Sequence, residues 1–371
     1  MGGIWRASII LGRKRLSDIP NLEGYGVFVD DLDFKNLSRR DWMDLGKLHM
    51  NKLVMIIRKS GLTKPSYLQV MKKWGKDRIN FASTIFAKYP SAQGDIKRLI
   101  ASPELTTEDR DYIKEYFRVG GGAISGHSHT GMIRVSGKRV NGKPIGMFAD
   151  GELLWHSNES GDLAFTPAVA LLGVESMTQS ATGFMVTAPY YNNVSDSFRS
   201  ELDEMVLIHN FVPGRINPGL NDSQDNLMYK NMCPDPDTEI PLVIQSPAGI
   251  KGLHYSFNTV TGIKGMSNSE AEKVLKEIRK GLEQYTYDYW WENDDDLLVF
   301  DNSITQHRRL GITKDRLCLR YAFDYTFLQH SVTGKPYIPY FQEPYVQMYK
   351  DKMNMIRKLL EHEGGSLPVF V

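Results

Sequence analysis

A chain of 371 residues, 41% apolar and 24% charged, can bury a substantial core, and that balance excludes global disorder. Its two cysteines, Cys233 and Cys318, are far apart, which argues against a disulfide framework or a CxxC zinc site. No apolar run approaches the length of a membrane span and no long apolar leader precedes a cleavage site, so a soluble cytoplasmic protein is the expectation.

The net charge of +1 is unevenly placed: the first hundred residues carry 19 Lys and Arg against 9 Asp and Glu. Such a basic third could attract a polyanion. Only Arg13-Lys14-Arg15 and Lys72-Lys73 are locally dense, and no nucleic-acid motif accompanies them. Solvated helical faces are the plainer reading, and a small molecule is the expected substrate.

In chain order, short strands are expected at Ala7 to Leu11 and Gly26 to Val29. Ser38, with Asp41 three residues on, reads as the cap of a helix running to Lys52. Leu53 to Ile57 reads as a buried strand. Ser66 stands ahead of a second helical stripe of Tyr67, Val70, Met71 and Trp74, and Thr106 to Phe117 reads as a third helix. Gly120-Gly121-Gly122 marks a break. Strand-like runs then follow at Met132 to Val135, Ala168 to Val174 and Gly183 to Thr187.

An amphipathic helix is expected around Ser195 to His209, then a Pro/Gly/Asn/Asp-rich loop through 213–238. Strands resume at Leu242 to Gln245 and Leu253 to Phe257. Ser267-Asn268-Ser269-Glu270 is a capping box for a helix carrying Val274, Leu275, Ile278 and Leu282. A last helix spans about Tyr345 to Glu363. Strands on either side of helical insertions, without steady βαβ alternation, give the expected fold class: mainly β with helices (α+β), a distorted double-sheet barrel.

Two stretches carry chemistry. Leu297-Leu298-Val299-Phe300 is a short run of β-formers that ends at the turn-forming Asp301-Asn302 and leads to His307. Arg316 and Arg320 follow, four apart. The other stretch is Leu153-Leu154-Trp155-His156-Ser157-Asn158-Glu159, a strand-like delivery of a histidine with polar residues two and three positions on.

The Trp155-His156-Ser157-Asn158 segment, the Asp-Asn-x-x-x-x-His run ending at His307 and the Arg316-x-x-x-Arg320 pair together resemble the Fe(II)/2-oxoglutarate-dependent dioxygenases of the taurine dioxygenase (TauD/TfdA) superfamily. The likeness extends through Gly249 to His254, the Met266-Ser267 helix start, Asp294 to Leu297 and the strand at Leu53 to Arg58. It implies a double-stranded β-helix (jelly-roll) core with N-terminal helices, in a single oxygenase domain over 1–371 with a helical insertion at about 190–285. It also implies Fe(II), 2-oxoglutarate and O2, with hydroxylation of an unactivated C–H bond coupled to decarboxylation of 2-oxoglutarate to succinate.

The resemblance casts His156 and His307 as metal ligands and Arg316 as the co-substrate anchor, with Arg320 beside it. A guanidinium is the planar, permanently charged partner that a carboxylate requires. The family places Asp or Glu two residues after the first histidine, where this chain has Asn158. Three readings follow. Asn158 ligates through its amide oxygen; a bulge brings Glu159 in instead; or the position is not a ligand, as in a radical halogenase or a catalytically silent binding protein. His127-Ser128-His129 is a rival metal pair on strand spacing, or a substrate contact, or a polar loop.

Overall fold

The structure, a computed structural model, describes residues 15–77, 89–92, 96–107, 110, 132–144, 146, 148–149, 151–210, 238–312, 314–324 and 334–361. The strand expected at Ala7 to Leu11, nearly all of the helix at 106–117, the glycine run at 120–122 and the loop at 213–238 lie largely outside these residues.

Strands β1 (Arg15–Asp18) and β2 (Gly26–Asp30) open the described chain. Helix α1 (Arg39–Lys52) starts where the sequence places it: Ser38 Oγ accepts from Asp41 N–H at 3.2 Å, and Asp41 accepts from Ser38 N–H at 2.8 Å. Strand β3 (Val54–Ile57) follows, then α2 (Lys64–Trp74). The α2 boundary differs from expectation. Ser66 lies inside the first turn, where its Oγ accepts from Thr63 N–H at 2.8 Å, and Pro65 fits there because first-turn N–H groups lack helical partners anyway.

Next come β4 (Lys76–Asp77), α3 (Ile96–Ile100), β5 (Met132–Ser136), β6 (Arg139–Val140), β7 (Lys143–Pro144), β8 (Leu153–His156), β9 (Ala168–Glu175) and β10 (Ser180–Val186). The segment expected to be a helical insertion is mixed. It holds α4 (Ala188–Asn193), α5 (Asp196–Glu204) and α6 (Asn268–Leu282), but also β11 (Val206–His209), β12 (Thr238–Pro241), β13 (Val243–Gln245), β14 (Lys251–Leu253) and β15 (Val260–Ile263). The expected helix at 195–209 ends at Glu204 because Val206-Leu207-Ile208-His209 alternates half-buried and buried, a period of two, and pairs with β12 and β15. The chain closes with β16 (Thr286–Trp290), β17 (Leu297–Asp301), β18 (Thr305–Gly311), β19 (Leu317–Asp324) and α7 (Glu343–Glu361).

The main sheet has the order β1-β2-β3-β17-β9-β19-β4, with β5 also pairing β19; a second sheet runs β16-β10-β18-β8. Strand β17 explains why four apolar residues stand in a row. Leu297 and Val299 pack with Leu45, Tyr67, Met71 and Trp74 of α1 and α2. Leu298 and Phe300 pack on the other face with Phe184, Val186 and Ile304. A strand covered on both faces needs no polar alternation, and each such side chain contributes ~1.5–3 kcal/mol by leaving water. The fold is thus mixed α+β: helices on one face of the main sheet, the second sheet on the other.

Candidate active site

The second sheet brings together two histidines that lie 151 positions apart in sequence. β18 and β8 are antiparallel with His307 directly opposite His156, and the register shifts between His307 and Arg309. Directly opposed residues share a face. The two rings accordingly sit with centroids 4.1 Å apart, tilted by 46°. His156 Nδ1 lies 2.7 Å from the Leu154 carbonyl oxygen. A carbonyl only accepts, so Nδ1 carries the proton and Nε2 keeps a lone pair.

Both rings are neutral. Burial pulls the His156 pKa down to about 4, opposed by the Leu154 carbonyl and reinforced by the charges of Arg320 and Arg309. Burial, then His156 and Arg320, hold His307 well below the ordinary range. The His307 Nδ1 is buried and has no hydrogen-bond partner among the described residues.

Asn158 lies two residues beyond β8 and is buried. Its Oδ1 accepts from Arg320 Nη1 at 3.1 Å. Its neighbour Glu159 turns away, with φ at +59°, an exposed side chain, and a carboxylate that accepts from Thr166 N–H at 2.9 Å and Thr166 Oγ1 at 2.6 Å.

Arg316 precedes β19. Its carbonyl is held by Ser136 Oγ at 2.8 Å and Gly137 N–H at 3.0 Å. With Cys318 and Arg320 it forms an i, i+2, i+4 row, and all three line one cavity with His156, Asn158 and His307. Burial drives the Arg316 pKa down and pushes the Cys318 thiol up to about 11. The Nε of Arg316 has no hydrogen-bond partner among the described residues.

The two arginines beside His307 also line the cavity, and each is held by neighbouring groups. Arg308 grips Asp288 at 3.0 and 2.5 Å and stacks 4.5 Å over Trp155. Arg309 donates to the carbonyls of Gly151 and Phe148. The cavity walls also include Leu171 of β9, Thr182 of β10 and Trp291 just past β16, apolar or neutral residues that nothing in the sequence marks out as cavity walls. His127 and His129 lie outside the described residues.

Among the described residues, no three His, Cys, Asp or Glu side chains converge as a metal site would require. Two imidazoles, their ring centroids 4.1 Å apart, and the Asn158 amide line one cavity. The buried, unpartnered His307 nitrogen and the lone pair left on His156 fit a divalent cation, and the donor set is neutral throughout.

A family model described as "Taurine catabolism dioxygenase TauD, TfdA family" matches residues 28–322. No curated protein matches the sequence significantly. Among solved structures, a taurine dioxygenase from Burkholderia xenovorans is similar at a TM-score of 0.55 and 17% identity, over 84% of this chain and 90% of that one. AAD-2, in complex with Mn(II) and N-oxalylglycine, is similar at 0.56 and 17%, over 84% and 98%. A putative 2,4-D dioxygenase from Burkholderia xenovorans is similar at 0.52 and 17%, over 85% and 99%. At these identities the likeness shows a shared fold. Together with the family match over most of its length, it means that the chain belongs to the TauD/TfdA family, α-ketoglutarate-dependent dioxygenases that act on small molecules with Fe(II), 2-oxoglutarate and O2.

Proposed function

We propose that this enzyme hydroxylates an unactivated C–H bond of a small molecule while 2-oxoglutarate is decarboxylated to succinate. The observation that carries the reading is the cross-strand pair of neutral histidines beside Asn158, in one cavity with Arg316. When bound, iron and 2-oxoglutarate supply the oxidising power. His156, His307 and the Asn158 amide oxygen would hold the metal, and Arg316 would take the distal carboxylate of the co-substrate in a bidentate grip. Arg320 assists beside it.

The residues prepare the site in two ways. Burial keeps both imidazoles unprotonated at neutral pH, so metal does not compete with protons for the ring nitrogens. Burial also excludes water from around the guanidinium, which strengthens its hold on an anion. An asparagine at 158, which lines the cavity with both histidines, would occupy part of the volume that a halide needs, and on that ground we favour the oxygenase over a radical halogenase. Glu159, committed to Thr166, is not the third ligand in this reading.

The face-to-face packing of the two sheets supports reading them as the halves of a double-stranded β-helix, in one domain with a mixed insertion at about 190–285. The buried free thiol of Cys318 fits a reducing, cytoplasmic setting.

The test is succinate formation and O2 uptake in the presence of Fe(II) and 2-oxoglutarate. Iron-dependent succinate, even uncoupled from substrate, is the expected result. Its absence under aerobic, reducing conditions contradicts the oxygenase reading and leaves a silent binding protein.

A further inference from the structure

Asn302 follows β17 directly and is completely buried. Its side chain meets three backbone groups. Asn158 N–H donates to Asn302 Oδ1 at 2.9 Å, while Asn302 Nδ2 donates to the carbonyls of Asn158 at 2.9 Å and Thr166 at 2.7 Å. A backbone N–H only donates and a carbonyl only accepts, so the orientation of the Asn302 amide is not open to choice.

That orientation passes on to residue 158. Asn302 Oδ1, an acceptor, faces Asn158 Nδ2 at 3.5 Å, and the donor-only guanidinium of Arg320 faces Asn158 Oδ1 at 3.1 Å. Turning the Asn158 amide over would set its NH2 against a guanidinium and its oxygen against another amide oxygen. Both contacts are repulsive inside a dry interior.

We propose that Asn302 is a positioning residue that fixes which atom of the Asn158 amide is presented to the cavity: the oxygen, the only atom of a neutral amide with a lone pair to offer a hard cation. The proposal rests on the reading that residue 158 faces the metal. Because Asn302 lies on the turn between β17 and β18, one short connection sets both residue 158 and His307.

The experiment uses the full chain, labelled with ¹³C and ¹⁵N on asparagine, first without metal. In the wild type the Asn158 backbone N–H is expected to exchange slowly with solvent and its side-chain amide to give one sharp pair of signals. In Asn302→Ala, exchange of that N–H should quicken at least ~10-fold and the side-chain pair should move or broaden. Asn302→Asp keeps an acceptor for Asn158 N–H but sets a carboxylate oxygen against the carbonyls of Asn158 and Thr166, so the Asn158 signals should change in it as well.

A through-hydrogen-bond coupling between Asn158 ¹⁵N and the Asn302 side-chain carbon, read on the wild type, stands even if the variants do not fold. Unchanged Asn158 signals in folded variants, or no coupling in the wild type, overturn the proposal. Zn(II), a diamagnetic probe, is then titrated: its affinity should fall ~10- to 100-fold in Asn302→Ala, as loss of an outer-shell partner does. If Zn(II) leaves the Asn158 signals of the wild type unmoved while the Asn302 effects persist, the ligand assignment fails and the positioning role stands.

Discussion

Among the described residues stand two pairs of buried histidines whose pKa values burial lowers, and one of the pairs lines a cavity with cations. His209 and His254 have ring centroids 6.1 Å apart, against 4.1 Å for His156 and His307. Burial brings the first two to pKa values of about 3 and 4, and each keeps an Nε2 without a partner among the described residues. In lowered pKa the pairs are alike, and each pair includes a buried nitrogen without a partner among the described residues. They differ in access and company. His209 and His254 are 0% and 1% exposed, with Phe165 stacked 4.5 Å from His254, whereas His156 and His307 are each 8% exposed and share a cavity with Arg316 and Arg320. A depressed histidine pKa therefore reports burial; cross-strand register and an adjoining cation report function.

The sharpest way to break this comparison is to remove one histidine from each pair. His307→Ala should abolish Fe(II)-dependent succinate formation, a loss beyond the ~10- to 100-fold expected for an outer-shell partner. His254→Ala should keep turnover within a few-fold and instead cost ~1–3 kcal/mol of stability through its lost bond to the Ser303 carbonyl. Equal losses of activity would erase the distinction.

Next in size, Arg316→Met should weaken 2-oxoglutarate binding by ~10- to 100-fold, the worth of a charge-assisted bond, without loosening the metal. Calorimetry with each ligand separates the two.

Acid should act on both pairs. A histidine whose folded pKa is depressed contributes stability that is full above the unfolded value near 6.5 and is lost as pH falls toward the folded one, here about 4 for His156 and His254 and about 3 for His209. Each adds up to ~1.4 kcal/mol per pH unit across that window. Zn(II) should move the acid transition to lower pH in the wild type and His254→Ala but not in His307→Ala.

The smallest effect concerns Asp301, which heads the turn between the pairs and accepts from Ser303 and Ile304 N–H at 2.8 and 2.9 Å. Burial raises its pKa to about 7, so the stability linked to its protonation is present at low pH and lost as pH rises through 7. Asp301→Asn removes that dependence and should gain on the wild type by roughly 2 kcal/mol between pH 5 and pH 8 in thermal melts.

Much of this was legible in the chain. Capping boxes at Ser38 and Ser267 mark α1 and α6, and the unbroken apolar run of β17 announces a strand covered twice. His156, His307, Arg316 and Arg320 do meet at one cavity. The rest depends on three-dimensional company. The positive φ that swings Glu159 out of the cavity has no local sequence signature, and the partner that orients Asn158 lies 144 residues away. β11 was hidden because Val206 to His209 continues the apolar stripe of the helix before it, and only pairing with two other strands decides its form.

The central claim, that His156, Asn158 and His307 hold ferrous iron against a co-substrate anchored by Arg316, meets its most direct test in an anaerobic Fe(II) titration with 2-oxoglutarate. The weak visible charge-transfer band of the chelate should appear at one iron per chain in the wild type and His254→Ala, and vanish in His307→Ala. A band that survives loss of His307, or that never forms in the wild type, would contradict it.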